Sequence, residues 1–71
     1  MNIIIQTEGR QINFSVQATD TVESVKRQIQ ASEYVDPDDQ RLLFQGMILE
    51  DGRTLGSYNL QAGNVVYLIC P

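Results

Sequence analysis

The first sixteen residues carry a mirrored pattern that leaves the chain few folding options. Ile3 and Ile5 share one face of an extended segment, and Ile12, Phe14 and Val16 share one face of another. Setting Ile5 opposite Ile12 also sets Ile3 opposite Phe14, because both pairs are centred between Glu8 and Gly9. A turn at that centre keeps every apolar side chain on one side, whereas a slip of one residue would send one strand's set to the other side. The pattern therefore predicts an antiparallel hairpin with strands at 1–7 and 11–16. Glu-Gly is not a favoured two-residue turn, since the first central position of the common hairpin turns needs a positive φ. A four-residue loop from Thr7 to Arg10 shares the same centre, and the residues leave both loops open.

After the hairpin the period changes. Thr19-Asp20-Thr21 offers side-chain oxygens to the orphan amides of a helix start, and Glu23 suits the positive end of the helix dipole. Val22, Val25 and Ile29 recur at helical spacing and form one narrow buried stripe. The helix should fade near Glu33-Tyr34, ahead of Asp36-Pro37, because proline disfavours a helical residue before it. Beyond it, Arg41 to Phe44 and Val65 to Ile69 read as strands, Met47-Ile48 as a short one, and Leu55 to Tyr58 as a brief helical turn. The order strand, strand, helix, strand, strand, strand defines an α+β domain with one helix packed across one sheet.

Seventy-one residues suffice for one small domain with a marginal core, so nearly every apolar position must be used well. The net charge of −4 and the scatter of Arg10, Lys26, Arg27, Arg41 and Arg53 argue against a nucleic-acid partner. No apolar run has the length of a membrane span, and the first residues lack the basic start and apolar stretch of a secretory signal. No membrane partner is expected, and the cytosol or nucleus is the expected compartment. Cys70 is the single cysteine, so no internal disulfide can form, in keeping with a reducing environment. Glu33, Asp36, Asp38 and Asp39 gather in an expected loop, read here as solvated, with docking of a basic partner as the rival.

The run Gln40-Arg41-Leu42-Leu43-Phe44-Gln45-Gly46, followed by Met47-Ile48-Leu49-Glu50-Asp51-Gly52-Arg53-Thr54-Leu55, reads as strand, glycine turn, strand and Asp-Gly turn. It closely resembles the central segment of the ubiquitin family. The resemblance extends from Met1 to the end of the last strand, with one residue missing near Glu8. It includes Thr21-x-Glu23-x-x-Lys26, Pro37-Asp38 and Tyr58-Asn59. It implies the ubiquitin-like β-grasp fold, a mixed sheet of four to five strands with one helix across it. The positions it places in the core are Ile3, Ile5, Ile12, Phe14, Val16, Val22, Val25, Ile29, Leu42, Leu49, Leu55, Leu60, Val66 and Leu68, all apolar. It implies that Lys26 is buried against Asp51 and that the Tyr58 hydroxyl caps the backbone near Glu50, both structural roles.

No catalytic constellation is visible in the sequence. There is no histidine, no Cys/His metal spacing and no glycine-rich phosphate loop, and Asp38-Asp39 are merely adjacent. The chain reads as a non-enzyme without a cofactor. A surface is the better candidate. If Leu42, Val66 and Leu68 point inward, then Leu43, Val65, Tyr67 and Ile69 point outward, and Met47 and Ile48 add apolar area nearby. An exposed apolar patch of this kind marks a partner site. The resemblance places the family's recognition patch here, with Leu43 at its centre, Tyr67 and Ile69 beside it, and Arg41 flanking. It implies ubiquitin receptors, ubiquitin-interacting helices or proteasome subunits as partners. The rest of its own chain is the rival occupant, which would make the domain an autoinhibitory lid on an attached ligase or peptidase.

Two departures from the family bear on use. The sequence ends Ile69-Cys70-Pro71 with no di-glycine tail, and the positions of the family's chain-forming lysines read Gln6, Arg10, Gln28, Ser32, Met47 and Ala62, leaving Lys26 alone. The expectation is one ubiquitin-like domain over 1–71, the amino-terminal module of a longer protein. A divergent conjugated modifier is the alternative.

Overall fold

The computed structural model describes residues 1–70; Pro71 lies outside the described residues. Two strands open the chain, β1 (Asn2–Thr7) and β2 (Arg10–Ser15), followed by helix α1 (Val22–Glu33). Then come β3 (Arg41–Phe44), β4 (Met47–Ile48) and β5 (Val65–Ile69), with short 3₁₀ turns at Pro37–Asp39 and Leu55–Tyr58. The sheet order is β2-β1-β5-β3-β4, with β1 and β5 parallel and the other neighbours antiparallel. This is the β-grasp arrangement.

The hairpin has the register that the mirrored pattern dictates, from Asn2 opposite Ser15 to Thr7 opposite Arg10. The loop is the two-residue one. Gly9 alone takes the positive φ, at 69°, and Glu8 is spared the left-handed region. The Gln6 side chain braces the turn, its Nε2 donating to the Thr7 and Arg10 carbonyls at 3.0 and 3.1 Å.

Thr21 is the helix N-cap, its Oγ1 accepting from the Ser24 N–H at 3.2 Å, and Val22, Val25 and Ile29 form the buried stripe. The helix stops at Tyr34, which adopts the left-handed conformation at φ 59° and donates its N–H to the Gln30 carbonyl. Glycine fills this cap most readily, and a tyrosine there carries backbone strain. Gln40 then ties the returning chain to the helix. It is buried, and its Nε2 donates to the Lys26 and Val35 carbonyls at 2.9 and 3.0 Å.

The core differs from expectation at one edge. Ile12 and Phe14 are half-buried rather than buried, because β2 is the outermost strand and α1 does not cover it fully. Phe44 and Tyr58 complete the core instead. Lys26 is 8% exposed, and its Nζ lies 2.7 Å from the Asp51 carboxylate. The Tyr58 hydroxyl accepts from the Glu50 N–H at 2.8 Å, and the Arg53 guanidinium lies 4.6 Å from the centre of the Tyr58 ring.

Candidate protein-interaction face

Strand pairing assembles the candidate residues into rows. Leu43 on β3 is paired with Tyr67 on β5 and, across its other side, with Ile48 on β4. Side chains of directly paired residues project from the same face of a sheet. Tyr67, Leu43 and Ile48 therefore form one apolar row across three strands, on the face turned away from α1. The next row places Ile69 beside Arg41. In the other direction Val65 is paired with Ile4 of β1.

Tyr67 is 54% exposed, Ile69 51% and Ile48 60%, while Leu43, Val65 and Ile4 are half-buried between neighbours. A groove of about 360 Å³ opens on this face, lined by Gln6, Thr7, Leu43, Gly46, Tyr67, Leu68 and Ile69. Leu43 forms part of its apolar wall, and the Tyr67 ring carries a hydroxyl that can bond to a partner. Arg41 is exposed at the margin and makes no ion pair among the described residues. It is free to meet an acidic group.

Met47 is not part of this surface. It is paired with Phe44, whose side chain is in the core, and lines a separate, more polar cleft with Arg53, Tyr58 and Asn64. Its 47% exposure arises from its place at the end of a two-residue strand. Conversely, Ile4 joins the face through Val65 although it was not among the expected residues. Its outward direction follows from the alternation in β1, but its neighbour depends on the parallel β1–β5 pairing, which no local pattern announces.

Three polar pairs brace elements of the fold against one another. Lys26–Asp51 joins the helix to the Asp-Gly turn, Tyr58–Glu50 anchors that turn from below, and Arg10–Glu33 links the start of β2 to the end of α1. Among the described residues no group of three or more acidic, histidine or cysteine side chains is placed to hold a metal ion, and no helix is long and apolar enough to cross a membrane.

With this fold and face in view, the chain belongs to the ubiquitin family, whose pattern it matches over residues 3–70. It is similar to the NEDD8-like protein RUB3 of Arabidopsis thaliana, 37% identical, with 97% of this chain and 90% of that protein aligned. It is also similar to the ubiquitin domain-containing protein DSK2a of Arabidopsis thaliana, 36% identical over 89% of this chain and 12% of that protein. The large proline-rich protein BAG6 of Danio rerio is 43% identical over 79% of this chain, which is 5% of its own length. The same domain thus constitutes nearly all of one relative and a small part of two others.

Proposed function

We propose that this chain is a non-catalytic interaction domain that presents the Tyr67–Leu43–Ile48 row, with Ile69 and Arg41, to ubiquitin receptors. Ubiquitin-interacting helices and proteasome subunits are the partner classes that fit. The observation that carries this reading is the row itself. A solvated sheet face would carry Thr, Lys or Glu there, and apolar side chains in register on three adjacent strands are costly to leave in water. Binding is reversible and modest, because a patch of this size buries little area and association has its own entropic cost.

The test is titration of the domain with a ubiquitin-interacting helix, comparing the natural sequence with Leu43→Ala. Loss of affinity by at least about tenfold, or about 1.4 kcal/mol, with an unchanged fold is expected. Unchanged affinity would remove the assignment.

DSK2a and BAG6, in which the aligned stretch is a small fraction of the protein, favour use as a module of a longer chain. RUB3, aligned over 90% of its length, favours the second reading, a ubiquitin-like modifier. Lys26 bears on both. It is the only lysine, and its burial against Asp51 leaves no exposed side-chain amine on which further copies could be linked. Mass spectrometry of the cellular protein separates the readings. Peptides running through Cys70-Pro71 into a long further sequence support the module, and a short tail found joined to lysines of other proteins supports the modifier.

A further inference from the structure

The two edges of the sheet are built differently. β4 is two residues long, and so short an edge offers little for another strand to pair with. β2 is six residues long, forms the opposite edge, and has an unbroken register with β1. It contains no proline, lysine or bulge. Its one charge, Arg10, stands at its first position and is held by Glu33. Apart from Arg10 at its start, none of the usual guards of an edge strand is present.

The backbone of β2 can be assigned group by group. Met1 and Val16 exchange both hydrogen bonds, the Val16 N–H to the Met1 carbonyl and the Met1 amine to the Val16 carbonyl, each 2.8 Å. Hydrogen-bonded and non-hydrogen-bonded pairs alternate along an antiparallel ladder. Phe14, Ile12 and Arg10 therefore also direct their backbone groups toward β1. Gln11, Asn13 and Ser15 direct theirs away from the sheet, and no loop or side chain among the described residues bonds to them. On the helix side of the same edge, Ile12 and Phe14 are half-exposed.

From this we propose that the β2 edge is a self-association surface, on which a second copy of the chain pairs antiparallel about a two-fold axis at Asn13. The register follows from the pleat. A two-fold axis perpendicular to the sheet keeps each face on its own side, so odd positions must meet odd positions and even must meet even. Centring the axis on Asn13 pairs Gln11 with Ser15 of the second copy and Asn13 with its own counterpart. Both backbone groups of Gln11, Asn13 and Ser15 are then satisfied in each copy. The same register sets Ile12 against Phe14 of the second copy, an apolar cross-strand pair that covers what α1 leaves open. Centring on Ile12 instead would set Ser15 against the Gly9 turn and leave backbone groups unpaired. No like charges meet in the chosen register, since Arg10 falls opposite Val16. The strand is thus complementary to itself in hydrogen bonding and apolar pairing, and no charge opposes the contact. The surface is distinct from the Leu43 row, which lies toward the other edge.

The test uses sedimentation over a concentration series and cysteine crosslinking. The natural chain is expected to show a mass rising with concentration toward that of a dimer. Asn13→Pro removes a central edge N–H that the monomer does not use, and should leave a folded monomer at all concentrations. In a Cys70→Ser background, Asn13→Cys places two sulfur-bearing residues at Cα atoms about 5.5 Å apart, within disulfide range. Gln11→Cys places them roughly 14 Å apart. Crosslinking at least about tenfold faster for Asn13→Cys is expected. A monomer throughout the series would overturn the proposal. So would association lost on Leu43→Ala but kept on Asn13→Pro, or equal crosslinking by the two cysteine variants. A monomer whose Gln11, Asn13 and Ser15 amide signals shift on adding a valine-rich hexapeptide would also overturn it, in favour of a foreign strand on this edge.

Discussion

Tyr58→Phe deletes one oxygen from the core and tests whether the Asp-Gly turn is held from beneath. The hydroxyl accepts from the Glu50 N–H at 2.8 Å, and the ring is 8% exposed and packed among buried apolar side chains. Phenylalanine keeps the ring, its packing and its contact with Arg53. The loss is confined to one hydrogen bond, a net contribution of about 0.5–1.5 kcal/mol. If water cannot reach the freed amide, the cost rises toward about 3 kcal/mol. Glu50 is itself exposed, so water has access to its surroundings, and a loss near 1 kcal/mol is the expected value. In a domain of this size that corresponds to a fall in Tm of about 4–8 °C. Urea unfolding should show a lower midpoint with an unchanged m-value, as the same surface is exposed. Amide exchange should accelerate at Glu50 before it does in β3 or β5. A loss below about 0.3 kcal/mol, or exchange at Glu50 unaltered, would refute the claim that this hydroxyl anchors the turn.

Tyr34→Gly should stabilise the domain by about 0.5–1 kcal/mol by thermal or urea unfolding, because it relieves a left-handed tyrosine whose exposed side chain contributes little packing. Ile5→Ala should cost about 2–5 kcal/mol, and Ile12→Ala clearly less, as Ile5 is fully buried while Ile12 stands half-open on the edge. Gln40→Leu should cost about 0.5–1.5 kcal/mol, since it removes the Nε2 donor to the Lys26 and Val35 carbonyls but also removes the buried Oε1, which has no partner. Arg27→Ala should change stability by less than about 0.5 kcal/mol, because its pair with Glu23 is an exposed one on the helix surface.

The register of the hairpin was legible because a period-two pattern admits one register when one face is buried, although the pattern left the loop length open. Reading the alternation around Leu42 and Val66 likewise identified the outward direction of Leu43, Tyr67 and Ile69. What alternation does not contain is the extent of cover over an inward face. Ile12 and Phe14 point the right way, yet they sit on the outermost strand, and only the position of α1 over the sheet decides how much of them meets water. Neighbours contributed by a parallel pairing were hidden for a related reason. Ile4 and Val65 are far apart in sequence, with no turn to connect them. Met47 carried the opposite lesson, since apolar character and proximity in sequence suggested a shared surface, while its pairing with Phe44 sets it on another cleft. Gln40 was also missed. A polar residue ahead of a strand reads as exposed unless its carbonyl partners are known. Tyr34 showed that helix termination can proceed without glycine when the loop beyond it is held, here by Gln40.

Burial of the single lysine makes the domain a chemical reporter of its own opening. The Lys26 side chain is largely buried, with its ammonium held at the exposed Asp51 carboxylate, and the Met1 amine is engaged by the Val16 carbonyl. Reagents and enzymes that acylate lysine must wait for the segment around α1 to open, so the rate at Lys26 tracks the fraction of molecules open at any instant. Each 1.4 kcal/mol added to the opening free energy should slow that reaction about tenfold. The same arithmetic would govern any enzymatic acylation of this side chain. A stable copy is shielded at this side chain, and a failing one displays it.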